Sequence, residues 1–269
     1  QHFRYIDQYN PEHVVILSGD HIYKMDYRKM IDEHIQNDAE ITIATFKVGK
    51  DGSRFGILEL DTKNKVKSFE EKPDYPKSKL ASMGVYVFKK NILQMLLSSS
   101  DDGLFDFGND IIPYALDHNF NVYGYKFNGY FRDVGTINAL FRANMDLIDN
   151  PQYMKLHEYI DFPVYTKSSN LPPHHIMNDS LVRHSMISDG CMISGNLDHC
   201  VISSGTVIKS DCMIKNAIIF SNVIVNKGCT IENVIIMDDT VILENTVLKF
   251  DEVTVINNDF LWKLGDGHE

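Results

Sequence analysis

Four charged side chains of this sequence could bind phosphate and a metal ion: Asp20, Glu71 and Lys72, which follow predicted strands, and Asp133, which precedes a predicted helix. Asp20 comes directly after the apolar run at residues 13–18 and Gly19. Open α/β sheets bind their ligands at the carboxyl ends of strands, and carboxylates are ligands for divalent metals that carry phosphate. Asp20 is therefore a candidate metal ligand, although a helix N-cap or a turn would also favour an aspartate here.

Glu71 and Lys72 lie in a charged segment, residues 70–73, that follows a predicted strand at residues 66–69. An ammonium group can bind a phosphate as a point charge, and a carboxylate can accept hydrogen bonds from sugar hydroxyls. The segment therefore predicts a site for a sugar phosphate. An exposed, charged segment at the end of a strand, with no role in binding, would have the same composition.

Two other segments suit a ligand that approaches the backbone. Residues 81–84, Ala-Ser-Met-Gly, open a strand with small side chains around Ser82. Asp133 supplies a second acid in Arg-Asp-Val-Gly-Thr, residues 132–136, just before a predicted helix. A surface pair of arginine and aspartate with an ordinary helix cap is the alternative interpretation of that segment.

Alternating strands and helices must position these side chains. Residues 1–150 predict an α/β layered domain with a mostly parallel sheet. The strands are predicted at 13–18, 40–48, 56–60, 66–70, 83–88 and 122–127, and the helices at 26–37, 89–97, 107–116 and 136–148. The run at 13–18 is continuously apolar, which indicates a buried strand of the parallel type. Four of the eight prolines lie between 151 and 173, which predicts a linker at residues 151–179.

A six-residue period replaces this pattern from residue 180 to 269. Every sixth residue from Val201 to Leu243 is apolar, and a second column runs from Val223 to Val247. Such a period predicts a left-handed parallel β-helix in which each coil buries its apolar residue on the next. An ordinary β-sandwich with period-two strands is the alternative.

Composition excludes several classes of protein. The chain has 269 residues, 43% hydrophobic and 23% charged, and a net charge of −11, so we expect two folded domains and neither a nucleic-acid nor an anionic-membrane surface. No apolar run approaches the ~18 residues of a membrane span. Four cysteines without a C-x-x-C pair favour a reduced, cytoplasmic protein. The sequence begins at Gln1 without an initiator methionine, so we expect a fragment.

Several segments together resemble the bacterial glucose-1-phosphate adenylyltransferase family, also called ADP-glucose pyrophosphorylase. The resemblance covers nearly the whole chain, and the hexapeptide period agrees with the C-terminal β-helix of that family. The matching segments are SGDHIYKMDY (18–27), FEEKP (69–73), ASMGVYVF (81–88), DFGNDIIP (106–113) and RDVGT (132–136).

The resemblance implies a fold, a reaction and a set of site residues. The fold is a Rossmann-like nucleotidyltransferase domain, here incomplete, followed by the β-helix. The reaction is attack by the phosphate oxygen of glucose 1-phosphate on the α-phosphorus of ATP, with Mg²⁺ as cofactor and release of pyrophosphate. Asp20, Lys72 and Asp133 match catalytic positions, and the two aspartates match the metal ligands. Gly56, Glu71, Lys72 and Ser82 match contacts with glucose 1-phosphate, and Tyr86 matches a tyrosine of the sugar pocket.

The sequence departs from the family at the nucleotide site. The family begins with a glycine-rich loop of the type G-G-x-G-T-R-L-x-P-L, whose backbone N–H groups bind the triphosphate. Gly19 and Gly49 are the only glycines before residue 52. We therefore expect that this polypeptide alone does not make ADP-glucose, and that it exposes an unpaired sheet edge and apolar surface.

The sequence leaves three alternatives open. One is another sugar-1-phosphate nucleotidyltransferase with a different nucleotide or sugar, and another is a non-catalytic regulatory subunit. The third is a hexapeptide acyltransferase with His184 or His199 as base, although both histidines, like His21, are more typical of structural residues. The resemblance further implies a homo-oligomer, usually a tetramer, or a hetero-oligomer with a related subunit, and allosteric effectors at the junction of the domains.

Overall fold

The computed structural model describes residues 3–49, 52–98, 106–151, 165 and 169–265. Contacts divide the chain into two compact units. The first unit is Gln1–Gly19 with Tyr23–Phe131, and the second unit is Asp20–Ile22 with Arg132–Glu269. Most of the predicted linker, residues 152–164 and 166–168, lies outside the described residues, so the domain division at 150 and 180 stays a prediction. Within the described ranges, no helix has the length and apolar character needed to cross a membrane.

Strands and helices are interspersed up to residue 149, without strict alternation. The helices are α1 (Phe3–Tyr9), α2 (Tyr27–Gln36), α3 (Lys90–Ser98), α4 (Ile112–Asp117) and α5 (Ile137–Asp149). The strands are β1 (His13–Ile16), β2 (His21–Tyr23), β3 (Ile41–Lys47), β4 (Ile57–Leu60), β5 (Val66–Glu70), β6 (Leu80–Lys89), β7 (Val122–Lys126) and β8 (Phe131–Asp133). A 3₁₀ turn (Gly52–Arg54) precedes β4, and a π-helical turn (Phe107–Ile111) leads into α4.

The main sheet of the first unit has the order β5-β4-β6-β3-β7, with β1 beside the second half of β6. Within this sheet, β3 and β7 are the one parallel pair among the described strands, so the prediction of a mostly parallel sheet is wrong. The connection between β4 and β5 is short, and a short connection can join only antiparallel neighbours. Strand alternation with helices does not by itself distinguish the two directions.

Strand β1 also differs from its predicted character. It runs antiparallel to β6, with Ile16 opposite Tyr86, and all four of its residues are half-buried rather than buried. Within the described residues β6 is its one ladder partner, and Leu17, which follows β1, is 47% exposed. The other side of β1 is therefore an open edge within the described part of the chain.

Apolar side chains of β6 alternate between two layers of core, as the two-residue period of a strand requires. Phe88 packs with Leu93 and Leu96 of α3 and with Ile112 of α4. Val85 and Val87, on the other face, pack in a cluster with Met30 of α2. Helices therefore cover both faces of the first unit's sheet, which gives the α/β layering predicted from the sequence.

The second unit contains a parallel β-solenoid. Its strands are β9 (His175–Ile176), β10 (Val182–Arg183), β11 (Met186–Ile187), β12 (Met192–Ile193), β13 (Asn196–Ile202), β14 (Val207–Ile208), β15 (Met213–Ile219), β16 (Ile224–Val225), β17 (Thr230–Ile236), β18 (Val241–Ile242) and β19 (Val247–Ile256). Leu197, Ile214, Ile231 and Leu248 pair in register on successive coils and are all buried. The solenoid core is built from such stacked columns.

Each full coil takes 17 residues, not 18, as the partners Leu197, Ile214 and Ile231 show by their numbers. The spacing of the corners explains this length. Residues with positive φ mark the corners, and they occur at positions 199, 205, 211 and 216. Two sides of the coil therefore span six residues and the third spans five. A one-residue slip turns a side chain to the opposite face of a strand.

Because the third side of each coil is one residue short, the prediction that one column of every sixth residue is buried throughout is wrong. Ile219 and Val225 point into the core, but Met213 is 62% exposed and Leu243 is 72% exposed. Val201 and Ile218 lie on the outer face of the solenoid, in a cluster with α5. The six-residue period is thus correct along two sides of each coil and loses phase on the third.

Asparagine, aspartate and glycine occupy the corners except at His199, because they adopt positive φ at lower cost than most other residues. The corner columns are His199, Asn216 and Asn233; Gly205, Asn222 and Asp239; and Asp211, Gly228 and Asn245. Asn216 donates its amide to the Oδ1 of Asn233, which in turn donates to the carbonyl of Phe250. The repeat thus satisfies its own polar groups.

Helix α5 packs on one outer face of the solenoid within the second unit. Phe141 and Met145 of α5 pack with Ile218 and Ile235. Thr136 caps the helix, since its Oγ1 accepts a hydrogen bond of 3.2 Å from the N–H of Ala139. The helix thereby anchors the segment that carries Asp133. Helix α6 (Asn258–Gly265) packs Phe260 against Phe250 beside the solenoid core.

Candidate functional site

Asp20, His21 and Asp133 form a cluster where β2 pairs with β8. The N–H of Val134 donates to the carbonyl of Asp20 over 2.9 Å, which joins the two segments. One ligand atom from each of the three side chains lies within 4.8 Å of the other two. The Asp20 side chain is 57% exposed, so the cluster is open to solvent and to a phosphate-bearing ligand.

Backbone geometry orients the two carboxylates. The N–H of Gly135 donates to Oδ1 of Asp133 over 2.8 Å. A Cβ on Gly135 would lie 3.1 Å from Asp133 Oδ1 and 3.3 Å from Asp20 Oδ2. A side chain at this position would therefore crowd both carboxylates, and glycine leaves the space open.

The helix-cap roles that are the alternatives for the two aspartates belong to other residues. Asp26 is the N-cap of α2 and accepts a hydrogen bond of 3.1 Å from the N–H of Arg28. Arg132 forms a half-buried ion pair with Asp146 of α5. Thr136, not Asp133, caps α5.

The donor set of this cluster fits a divalent cation. Carboxylate oxygens are ligands of Mg²⁺, and adjacent ligands of an octahedral ion at about 2.1 Å lie roughly 3 Å apart. The ligand atoms of all three side chains lie within 4.8 Å of one another, a spacing at which they could share one ion after the side chains adjust. Asp20 and Asp133 could hold the metal, and His21 offers a nitrogen.

A second group of polar residues surrounds Glu71 in the first unit. We call it the Glu71 pocket, and it consists of Gly56, Glu71, Lys72, Ser82, Tyr86, Asp106 and Gly108. A Cβ on Gly56 would lie 2.7 Å from Glu71 Oε2, and one on Gly108 would lie 2.5 Å from the same atom. Two glycines therefore make the room in which this carboxylate sits.

Burial raises the pKa of Glu71, whose side chain is 20% exposed. The positive charge of Lys72 lowers this pKa, and the negative charge of Asp106 raises it further. The net shift is upward. A carboxylate that burial disfavours gains from any ligand that donates hydrogen bonds to it.

Lys72 is held by its backbone and extends an exposed side chain. Its φ is +45°, an unusual conformation for a residue with a side chain. Its N–H donates to the carbonyl of Phe55 over 3.2 Å. The side chain is 66% exposed, and Nζ lies 3.8 Å from Glu71 Oε1. The ammonium can therefore reach an anion that enters from solvent.

Strand β6 supplies Ser82 and Tyr86. The N–H of Ser82 donates to the carbonyl of Gly56 over 2.7 Å, which joins β6 to the start of β4. Tyr86 is 7% exposed and stacks on Phe107 with ring centres 5.4 Å apart. Burial raises the pKa of Tyr86; the hydrogen bond with Ser82 lowers it and the charge of Glu71 raises it further. Its hydroxyl therefore stays protonated and can donate a hydrogen bond.

Comparison with known families identifies the chain. The family model described as "Nucleotidyl transferase" matches residues 2–150, more than half of the sequence. The chain belongs to the nucleotidyl transferase family. A model described as "GlmU-like, C-terminal hexapeptide" matches residues 172–259, which include most of the solenoid.

Curated relatives of this nucleotidyl transferase carry one name. A protein of Lachnospira eligens named glucose-1-phosphate adenylyltransferase is 45% identical over 211 residues, which are 78% of this chain and 50% of that protein. The Bacillus subtilis protein of the same name is 42% identical over 77% of this chain and 56% of its own length. One from Bacillus cereus is 41% identical over 80% and 58%. The chain spans about half the length of the curated relatives it matches.

The residues predicted from the sequence fall into two clusters of this nucleotidyl transferase. Asp20 and Asp133 belong to the second unit, while Gly56, Glu71, Lys72, Ser82 and Tyr86 belong to the first. Asp106 and Gly108 were not assigned a role from the sequence, although they lie in the quoted segment 106–113. The signal that could have found them is a glycine two residues after an acid at the start of a helix.

The histidines of the solenoid have structural contacts in this nucleotidyl transferase. His199 contacts Asn216 Oδ1 through Nδ1 at 2.9 Å and Asp149 Oδ1 through Nε2 at 3.1 Å. His184 lies 3.6 Å from Asp198 Oδ1. The ring of His199 thus connects α5 to the corner column, which agrees with the structural role expected from the sequence.

Proposed function

We propose that the protein carrying this chain makes ADP-glucose from ATP and glucose 1-phosphate, with release of pyrophosphate, for glycogen biosynthesis. The observation that supports this most is the Glu71 pocket, where a half-buried carboxylate with a raised pKa lies beside an exposed ammonium. The name shared by relatives that are 41–45% identical supports the choice of sugar and nucleotide.

The groups of the pocket suit the two ends of glucose 1-phosphate. The ammonium of Lys72 binds the phosphate as a point charge. Glu71 accepts hydrogen bonds from sugar hydroxyls, which offsets the cost of its burial. Gly56 keeps the backbone accessible, and Ser82 and Tyr86 bring hydroxyl groups to the sugar. These roles require no protein nucleophile.

In the reaction, an oxygen of the sugar phosphate forms a bond to the α-phosphorus of ATP as the bond to pyrophosphate breaks. The protein's contribution is to position the two phosphates and to stabilise their charge. Asp20 and Asp133 would hold Mg²⁺, which when bound neutralises negative charge on phosphate oxygens. Lys72 keeps the attacking phosphate oriented.

Binding of glucose 1-phosphate to the 269-residue chain, measured by isothermal titration calorimetry, tests this proposal. We expect binding that is lost or weakened at least tenfold in Lys72→Met, since a hydrogen bond to a charged group contributes ~1.5–3 kcal/mol. Lys77→Met is the matched control, because Lys77 is 76% exposed and lies 3.9 Å from Glu70 Oε2. Equal loss in both variants, or no preference over galactose and mannose 1-phosphates, would contradict the assignment.

The nucleotide is tested separately, by the release of pyrophosphate from ATP, UTP or dTTP with glucose 1-phosphate in the protein that carries this chain. Preference for another nucleotide would favour the alternative of a different sugar nucleotidyltransferase. Absence of turnover with intact sugar binding would favour a non-catalytic subunit. From a polypeptide of these 269 residues we expect binding of glucose 1-phosphate without ADP-glucose synthesis.

Assembly and location complete the proposal. The solenoid suits a role in assembly, and the protein forms a homo-oligomer, a tetramer, or a hetero-oligomer with a related subunit in the cytoplasm. The four free, buried cysteines agree with a reducing compartment. Light scattering after size-exclusion chromatography measures the oligomeric state, and a monomer at micromolar concentration would contradict the assembly role.

A further inference from the structure

His21 belongs to the same cluster as the two aspartates proposed to bind the metal. Its Nε2 lies 3.5 Å from Asp20 Oδ1, and its side chain is 13% exposed. The Nδ1 atom is on the buried side of the ring. The ring thus presents Nε2, the other nitrogen, toward the carboxylate of Asp20.

This arrangement distinguishes His21 from other histidines that lie near an aspartate. His184 and Asp198 form a pair on the solenoid, and so do His199 and Asp149. Among the residues that the structure describes, Asp20, His21 and Asp133 are the one group in which three side chains of metal-binding types bring their ligand atoms within 4.8 Å. His21 therefore has a geometry that an ordinary histidine–aspartate pair does not have.

We propose that His21 is a third protein ligand of the metal site, so that the site binds Mn²⁺ or Co²⁺ more tightly than Mg²⁺. The inference rests on the proposed function only in taking Asp20 and Asp133 as the other two ligands. Imidazole nitrogen suits first-row transition metals, whereas Mg²⁺ prefers oxygen ligands and retains its waters. A site with two carboxylates and one imidazole therefore favours the softer ions.

The local backbone supports this assignment. Asp20 and His21 are adjacent in sequence, and the hydrogen bond from Val134 to the carbonyl of Asp20 joins their segment to the one that carries Asp133. The hydrogen bond from Gly135 holds the Asp133 carboxylate in the same place. Three ligands on two joined segments form a site with little need for rearrangement.

The test uses Mn²⁺ alone with the full 269-residue chain, without nucleotide. The affinity is measured from the EPR signal of free Mn²⁺, and electron spin-echo envelope modulation of bound Mn²⁺ detects a coordinated imidazole nitrogen. We expect nitrogen modulation in the wild type and its loss in His21→Gln. The Kd for Mn²⁺ should rise by at least the ~10-fold that loss of an outer-shell partner already costs, while the Kd for competing Mg²⁺ changes less.

Two further variants keep the outcomes distinct. His184→Gln, which removes an exposed histidine–aspartate pair of the solenoid, should keep both the affinity and the nitrogen modulation. Asp20→Asn should weaken the binding of every ion. Binding of Mn²⁺ that depends on Asp20 but has no nitrogen modulation would overturn the role of His21 and leave the proposed metal site intact. Binding that does not depend on Asp20, or no binding, would overturn both.

Discussion

The solenoid and the Glu71 pocket treat buried polar groups in opposite ways. In the solenoid, the amide of Asn216 donates to Asn233, which donates to the carbonyl of Phe250, so each coil satisfies the next. In the pocket, burial and the charge of Asp106 both raise the pKa of Glu71. The first arrangement stabilises a repeat, whereas the second leaves a carboxylate that a ligand can stabilise. A polar group with an unfavourable environment is the better indicator of a binding site.

The largest expected effect of a substitution is on the stability of the solenoid core. Ile231 is buried in a column between Ile214 and Leu248. Ile231→Ala should lower the free energy of unfolding of the second unit by about 2–5 kcal/mol, since it removes buried methyl groups and leaves a cavity. Hydrogen exchange of the β15 and β17 amides measures this change.

Met213→Ala is the control for the core substitution. Met213 belongs to the six-residue column but is 62% exposed. An effect below about 0.5 kcal/mol is expected for a surface position. If Met213→Ala destabilises the solenoid as much as Ile231→Ala does, the 17-residue coil is wrong.

Acid should destabilise the first unit before the solenoid, because a histidine is buried in it. The pKa of His34 is lowered to about 4, mainly by burial and also by the charges of His13 and Lys89, while the charge of Asp38 opposes them. A histidine with a depressed folded pKa contributes stability that is complete above its ordinary pKa near 6.5 and is lost as the pH falls toward 4. The loss should reach about 3 kcal/mol.

Hydrogen exchange at pH 7 and pH 4.5 measures this difference between the units. The amides of β3 in the first unit should lose protection relative to those of β15 in the solenoid. His34→Gln should reduce the pH dependence of β3. The exposed His184→Gln serves as the control. Equal pH dependence in both units would contradict the assignment to His34.

The space around Glu71 is tested by Gly108→Ala. The added Cβ would lie 2.5 Å from Glu71 Oε2, so the carboxylate must move. Overpacking of this kind costs about 1–3 kcal/mol, and the Kd for glucose 1-phosphate should rise about tenfold or more as Glu71 loses its position. Calorimetry and urea unfolding measure the two effects.

Gly49→Ala is the matched glycine control, because no heavy atom lies within 4 Å of the Cβ it would gain. Its affinity for glucose 1-phosphate should equal that of the wild type. If Gly108→Ala also binds normally, Gly108 does not define the position of Glu71.

Local signals predicted much of this molecule, and long-range packing decided the rest. Asp20, Glu71 and Lys72 could be proposed because they follow strands within short motifs, and Asp133 because its motif precedes a helix. The antiparallel direction of β4, β5 and β6 could not be deduced from alternation alone, since a hairpin and a crossover both connect strands. Asp106 and Gly108 lie far along the chain from Glu71, so their proximity needed a fold.

In the solenoid, too, the local pattern could be predicted from the sequence, whereas a feature that depends on stacking could not. Its six-residue period is a local pattern and predicted the repeat. The loss of one residue between the corners at Asp211 and Asn216 appears only in the stacking of whole coils. That single residue moves Met213 to the surface and Ile219 to the core.

The smallest expected effect is the difference between two substitutions of a corner asparagine. It distinguishes the stability that comes from the side-chain hydrogen bonds from the stability that comes from tolerance of positive φ. Asn216 has a φ of +49°, contacts His199 through Oδ1 and donates to Asn233. Asn216→Gly keeps the backbone conformation and removes these hydrogen bonds, so it should cost about 1–2 kcal/mol. Asn216→Ala should cost about 1 kcal/mol more, because alanine resists positive φ. Urea unfolding of both variants, followed by hydrogen exchange of β15, gives the difference. If the two variants unfold alike, the corner geometry carries no strain, and asparagine is needed there for its side-chain ladder alone.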